Sequence, residues 1–402
     1  MTQQSPTGAL AGVKVIDLSR VLGGPLCGQI LADHGADVIK VEPPQGDETR
    51  DWGPPFKDGL SAYFAGLNRN KRSLALDLSR PDGREVLLRL LDGADVLLEN
   101  FKTGTLERWD LGYDAVLSRM FPSLVHCRVS GFGADGPFGG MPGYDAAIQA
   151  WAGLISVNGE PGSDGLRLGI PLVDLGTGMN AAFGIAMALF ERERSGQGQF
   201  LEVSLFDTGI ALLHPQGANF LMSGKAPTPT GNAHPNISPY DLYPTKRRAI
   251  FLAVGNDRQF SRLCAELGKP ELATDPRFLS NADRVVNRAD LTAELTALLV
   301  DHDAEALATR LMQIGVPAGA ALTLPDVMTH PHTLHREMKV EVDGYTGIGV
   351  PVKMSRTPGA ARTRPPLFGE QGRDILAEAG YAEDEIEAML AAGLVLRERR
   401  GL

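Results

Sequence analysis

The stretch VKVIDLSRVLGGPLCGQILADHGADVIKVE, residues 13–42, decides the fold. Its opening VKVIDLS (13–19) is a short apolar run of the kind that forms a buried strand. GGPLCGQILADHG (23–35) changes to helical spacing, with glycines at its start and exit, and ADVIKVE (36–42) returns to a strand pattern. The alternation continues downstream through the strand SLALDLS (73–79), the helix GREVLLRLLDGA (83–94), and the strands DVLLENF (95–101) and SLVHCRVSGFG (123–133). Such alternation predicts an α/β fold: an open parallel sheet of Rossmann-like type wrapped by helices. The turn after the first strand, SRVLGGPLCG, lacks GxGxxG, and Asp37 falls too early for a ribose carboxylate, so no nicotinamide site is expected.

Beyond the helical run ending in ERERSGQGQ, the segment QFLEVSLFDTGI reads as a strand and the start of a helix. SGKAPTPTGNAHPNISP, rich in Pro, Gly and Asn, then marks a boundary. The expected organisation is a large domain over 1–205, completed by 340–402, a linker and active-site loop over 206–239, a smaller α+β domain over 240–325, and a return linker over 326–339.

The 402 residues are 43% hydrophobic and 22% charged, an ordinary globular composition with enough chain for more than one core. The formal charge of −10 argues against a nucleic-acid or anionic-membrane surface, so an anionic ligand would need a local basic pocket. Cys27, Cys127 and Cys264 are widely separated and form no CxxC pair, which fits a reduced compartment. The N-terminus has no signal-peptide pattern, and no apolar run is read as approaching the roughly 18 residues of a membrane span; a cytoplasmic protein is expected. His330, His332 and His335 lie in a Pro-broken stretch without a regularly spaced carboxylate, so no metal site is assigned. There is no GxSxG elbow, and Cys27 reads as helix core.

Asp174 stands out in GIPLVDLGTGMNAAFGIAMALFERERSGQG, after a short apolar approach and at the head of a long helical pattern. A carboxylate at such a strand-to-helix junction is either an N-cap or a group held for chemistry, and local pattern leaves both open. Arg20 sits at the C-terminal edge of the first strand, where open α/β sheets contact ligands. Lys40 is unusual among the apolar neighbours of VIKVEPP. Asn68, Arg69, Asn70, Lys71 and Arg72 cluster at the start of an apolar strand in a composition suited to phosphate, and Lys102 and Arg108 follow another strand. Tyr144 and Asp145 open a further helix about thirty residues before Asp174.

Taken together, VKVIDLSRVLGGPLCGQILADHGADVIKVEPPQGDETR, NRNKRSLALDL, DVLLENFKTGTLERWDLGY, VSGFGADGPFGGMPGYD, DLGTGMNAAFGIAMALFERERSGQGQ and GNAHPNISPY resemble the class III coenzyme A transferases, the family of formyl-CoA:oxalate and carnitine CoA-transferases. The resemblance covers essentially the whole chain. It implies CoA transfer from an acyl-CoA to a carboxylic acid, with coenzyme A as substrate and no permanently bound cofactor, on an interlocked homodimer. It further implies that Asp174 is the covalent nucleophile, that Val21, Lys40, Asn70, Lys71, Arg72 and Arg108 line the coenzyme A site, and that Tyr144 and Asp145 lie near the acyl group. Two departures matter. Where some oxalate-using members have a glycine run, this chain reads GNAHPNISPY, with His234 and Asn236 in its place, which turns the expected acceptor away from oxalate. The α-methylacyl-CoA racemases of the same fold carry a histidine before the tyrosine–aspartate pair, where this chain has Gly143, so one acid or base of that reaction is missing. Arg20 and His234 are the candidates for an acceptor's distal carboxylate, which points to dicarboxylic acids, and Gly176 and the 231–238 loop are candidate oxyanion donors.

Overall fold

The structure, a computed structural model, describes residues 8–400. It divides into two compact units: residues 1–154, 168–218 and 334–402 form the first, and 155–167 and 219–333 the second. The boundaries therefore differ from those expected: 206–218 continue the first unit, and a short insert at 155–167 joins the second.

The first unit is built on a seven-stranded sheet. Its parallel strands are β1 (Lys14–Asp17), β2 (Asp37–Glu42), β3 (Lys71–Leu76), β4 (Val96–Glu99), β5 (Val125–Ser130) and β6 (Phe200–Ser204). In space they run β3-β2-β1-β4-β5-β6, with the short strand Val395–Leu396 added antiparallel outside β3. Val15 of β1 stands opposite both Val38 of β2 and Val96 of β4, so the order reverses at the β1/β4 pair. That reversal opens a crevice beyond the carboxyl ends of the strands, the place where sheets of this topology bind ligands.

Because successive strand residues point to opposite faces, apolar runs supply two cores. Ile16, Ile39, Leu74 and Leu97 pack on one face with helix α2 (Pro81–Leu91), while Val15, Val38, Val96 and Cys127 pack on the other with α1 (Gly23–Asp33). Three further helices complete the site: α3 (Asp145–Trp151), α4 (Leu172–Ser195) and α5 (Leu205–Ala211). Gly178 lets α4 press against the start of α1; a Cβ there would lie 2.6 Å from the Gly23 carbonyl oxygen. Among the described residues α4 is the one helix long and apolar enough, by length and composition, to cross a membrane, contrary to the expectation that no run approaches that length. It is a helix of the first unit's core, with Ala181, Ile185 and Leu189 buried against the sheet.

The second unit has a three-stranded antiparallel sheet, β7 (Tyr240–Tyr243), β8 (Ile250–Ala253) and β9 (Ala318–Ala320), in the order β9-β8-β7. Phe260 and Leu263 of α6 (Asp257–Glu266), Leu291 and Leu295 of α7 (Arg288–Leu299), and Leu307 and Leu311 of α8 (Ala304–Gln313) close its core.

Candidate active site

Asp174 is reached from the sheet through the loop before α4, so no strand precedes it directly. It is the third residue of the helix, and the cap comes from elsewhere. Asp145, at the start of α3, accepts hydrogen bonds through Oδ2 from the amides of Val173 (2.8 Å) and Asp174 (3.2 Å). Its Oδ1 accepts from Gln149 Nε2 at 2.6 Å, and Gln149 Oε1 accepts from the Leu168 amide at 2.8 Å. The capping role left open for Asp174 thus belongs to Asp145, and the Asp174 carboxyl is released to face a cleft of about 280 Å³. Burial, with the charge of Asp145 adding to it, pushes the Asp174 carboxyl up to about 7.

The opposite wall of this cleft comes from the turn after β1. Asn100, just past β4, ties that turn down across the switch point: its Oδ1 accepts from the Arg20 amide at 2.9 Å and its Nδ2 donates to the Arg20 carbonyl at 2.7 Å. Val21 follows in a left-handed conformation, φ 71°, which is costly for a β-branched residue and marks a backbone held by its surroundings. Asp47 supplies part of that hold, accepting from the Val21 amide at 3.3 Å. Gly23 then opens α1 beside the carboxylate; a Cβ there would sit 3.6 Å from Asp174 Oδ1. The first turn of α1 carries amides without intrahelical acceptors, which suits it to an anion.

Lys40 lies behind this turn, fully buried, with Nζ donating to the Ser19 carbonyl at 2.8 Å and to Asp47 Oδ2 at 2.9 Å. Burial works against its ammonium, yet the carboxylates of Asp47, Asp17 and Glu42 outweigh it and raise its pKa. Asp47 is held below its ordinary value: burial opposes this, and the Lys40 charge and the Lys40 and Thr49 hydrogen bonds overcome it. Lys71 is equally enclosed, its three donors going to Asp17 Oδ2, the Pro25 carbonyl and Asn68 Oδ1.

Asn70 and Arg72 lie where β3 begins, the end of a parallel strand away from the crevice. Asn70 binds Asp33 and the Ala360 carbonyl, and Arg72 pairs with Asp37 and Glu378. The polar atoms of Lys40, Asn70, Lys71 and Arg72, expected to line the coenzyme A site, are engaged within the protein, and these four line neither this cleft nor the one that continues from it. The strand's start is the wrong edge, a point the rule applied to Arg20 would have settled for this cluster as well.

Val21, Arg20, Tyr144 and Asp174 do meet at the cleft. Tyr144 is 59% exposed on its wall. Arg20 is ion-paired to Glu48 at 3.1 Å. Arg108 is exposed at the end of the short helix Thr105–Arg108 that follows β4, where its Nη2 donates to Thr105 Oγ1. Gly176 is not an oxyanion donor, because it lies inside α4, where its N–H belongs to the helical ladder. Gly143 is tightly packed: a Cβ would lie 2.9 Å from Ile148 Cδ1 and 3.0 Å from Gly131 Cα, so a side chain there would require both neighbours to shift. The histidine that racemisation needs at this position is absent.

His234 and Asn236 belong to the second unit. There the Asn236 amide donates to His234 Nδ1 at 3.1 Å, and Arg288 Nη2 donates to the His234 carbonyl at 2.8 Å. Burial, together with the Arg288 charge, lowers the His234 pKa and keeps the ring neutral.

A second cleft, about 800 Å³, continues from the first along the strand ends, sharing Arg20, Glu48 and Phe101 with it. Pro43–Gly46 after β2, Leu76–Ser79 after β3, Trp52 and Trp109 form its walls. Neither these residues nor Asn100 were singled out in the sequence, although most of them lie at or just beyond a strand's carboxyl end; Trp52 and Trp109 come later, each just after a short helix.

A carboxylate poised at the switch point of a parallel α/β sheet, with a long cleft leading away from it, defines an enzyme site for an extended ligand. Residues 10–372 match the family described as CoA-transferase family III, and the chain belongs to that family and is a CoA-transferase. A succinate–glutarate CoA-transferase of Agrobacterium fabrum is 39% identical, over 92% of this chain and 95% of its own. An acetyl-CoA:oxalate CoA-transferase of Acetobacter aceti is 38% identical, over 95% and 98%. A solved CaiB/BaiF family protein from Brucella suis superimposes with a TM-score of 0.83 at 42% identity, covering 93% of this chain and 100% of that one.

Proposed function

We propose that the chain transfers coenzyme A from an acyl-CoA to a dicarboxylic acid through covalent intermediates on Asp174. The observation that carries this reading is the Asp174 carboxyl itself, freed from capping by Asp145 and facing the cleft beside the first turn of α1. A carboxylate oxygen of Asp174 attacks the thioester carbonyl, the C–S bond breaks, and a mixed anhydride and CoA thiolate result. The thiolate then attacks the aspartyl carbonyl, the anhydride C–O bond breaks, and the donor acid leaves an aspartyl-CoA thioester behind. The acceptor carboxylate attacks that thioester and expels the thiolate, which in turn takes the acceptor's acyl group and frees Asp174.

Each step passes through an oxyanion, for which the amides of the first turn of α1, beginning at Gly23 beside the Asp174 carboxyl, are the candidate donors. Coenzyme A lies along the two joined clefts, acyl end at Asp174 and nucleotide end between Pro43–Gly46 and Leu76–Ser79, among the aromatic rings of Trp52 and Trp109. Lys40 and Asp47 act indirectly, as positioning residues for the 19–23 turn. Arg20 is the candidate for the acceptor's distal carboxylate, exchanging its Glu48 partner for it. The two relatives named above use dicarboxylates, oxalate included, so oxalate stands beside succinate and glutarate among the acceptors to screen.

The working unit is a homodimer, interlocked as the family resemblance implies. Met179, Phe183, Met187 and Phe190, spaced along one side of α4 and all exposed in the single chain, support a large apolar contact. Transfer from succinyl-CoA to a panel of dicarboxylates, followed by release of free acid, tests the reading. Asp174→Ala should abolish turnover while leaving succinyl-CoA binding in place. Exchange of an α-proton of a chiral acyl-CoA in deuterated water, without acceptor, would count against it.

A further inference from the structure

The second cleft is lined in part by Arg400, a residue outside the matched family region, which stops at residue 372. After the strand Val395–Leu396 pairs with β3, the chain turns back, and the Arg400 amide donates to the Pro44 carbonyl at 2.9 Å. This places the Arg400 side chain in the lining of the cleft, beside Asp77.

Of the described residues lining that cleft, two are cationic, Arg20 and Arg400. Arg20 belongs to both clefts and is bound to Glu48 at 3.1 Å. Arg400 lines only the far one. Its Nη2 donates to the Gly393 carbonyl at 2.7 Å, and its Nη1 lies 3.6 Å from Asp77 Oδ2, too long for a hydrogen bond. A guanidinium has five N–H donors in a planar fork, so most of this group, whose side chain is 48% exposed, is open to a ligand.

We infer that Arg400 is the phosphate ligand of the cleft, and that it binds the 3′-phosphate of coenzyme A. The inference rests on the transferase reading for the direction of the ligand. With the acyl end at Asp174, the diphosphate lies midway, and the phosphate monoester on the ribose is the anion that reaches the end of the cleft. A phosphate presents paired oxygens to the fork and replaces the loose Asp77 contact with short charge-assisted bonds. The segment after residue 372 thereby contributes to donor recognition, separately from the carboxylate chemistry at Asp174.

The test is a chemical cycle on the full chain, with succinyl-CoA and 3′-dephospho-succinyl-CoA as donors and glutarate as acceptor. Arg400→Ala should raise KM for succinyl-CoA about tenfold to a hundredfold with kcat nearly held, and change KM for the dephospho donor severalfold less. Arg400→Lys, which keeps the charge without the fork, should fall between. An equal loss with both donors, or none with either, overturns the assignment. If the unsubstituted chain turns over neither donor, the proposed transfer from succinyl-CoA to glutarate fails, and titration calorimetry with adenosine 3′,5′-bisphosphate and AMP then decides Arg400 independently. A preference for the bisphosphate that Arg400→Ala removes upholds the site; binding of neither, or a preference that survives the substitution, overturns it.

Discussion

Asp174 acts as an anion in the proposed chemistry, yet burial and Asp145 push its carboxyl up to about 7 from an ordinary 3.8. Two consequences follow at this single residue. In the free enzyme, kcat/KM should rise with pH along an acid limb centred near 7, measured by initial rates across pH 5–9 at subsaturating donor. Stability should move the other way. A carboxyl whose folded pKa exceeds its unfolded one binds its proton more tightly when folded, so its contribution is intact below about 3.8 and is lost as pH rises through 7. Asp174→Asn should therefore raise Tm more at pH 8 than at pH 4 in thermal scans; an increment independent of pH would refute the shift. The residue type and its place at a helix start could be read from the sequence, but its pKa could not, because Asp145 is 29 positions away and meets it only in the folded chain.

At the level of elements, the start of α4 is organised by α3. Asp145→Ala removes acceptors from two amides and should cost about 0.5–2 kcal/mol in denaturant titrations. Asp145→Asn keeps an acceptor without the charge; its acid limb should move to lower pH, and an unmoved limb would show that burial alone sets the Asp174 value. The strands and helices of the first unit were legible because hydrophobic period and glycine punctuation carry them locally, as in residues 13–42. The basic cluster at 68–72 was misleading for a physical reason. Composition reveals that cations gather near a strand, but the parallel order that makes one edge the ligand edge is a property of the whole sheet. Lys40 stood out as a lysine among apolar neighbours and Lys71 as part of the basic cluster; their partners Asp47 and Asp17 are what make the burial of both tolerable.

Across the molecule, the sheet's strand order explains why residues from five separate turns converge on one crevice, while the carboxylate arrives on a helix that follows the fifth strand. The α/β class could be read from the alternation of elements, whereas the place of the insert at 155–167 could not, since it joins its unit through long-range contacts such as the Gly231 amide donating to the Gly159 carbonyl. The apolar stripe on α4 predicts a dimer in sedimentation equilibrium, and Phe183→Glu with Phe190→Glu should shift the protein toward monomer and reduce activity with it; an unaltered dimer would place the interface elsewhere. The claim on which the rest depends is covalent chemistry at Asp174. Peptide mass spectrometry after incubation with succinyl-CoA and hydroxylamine addresses it directly: a hydroxamate confined to Asp174, formed only with donor present, is the predicted result, and turnover of donor to acceptor with Asp174 unmodified would contradict the account.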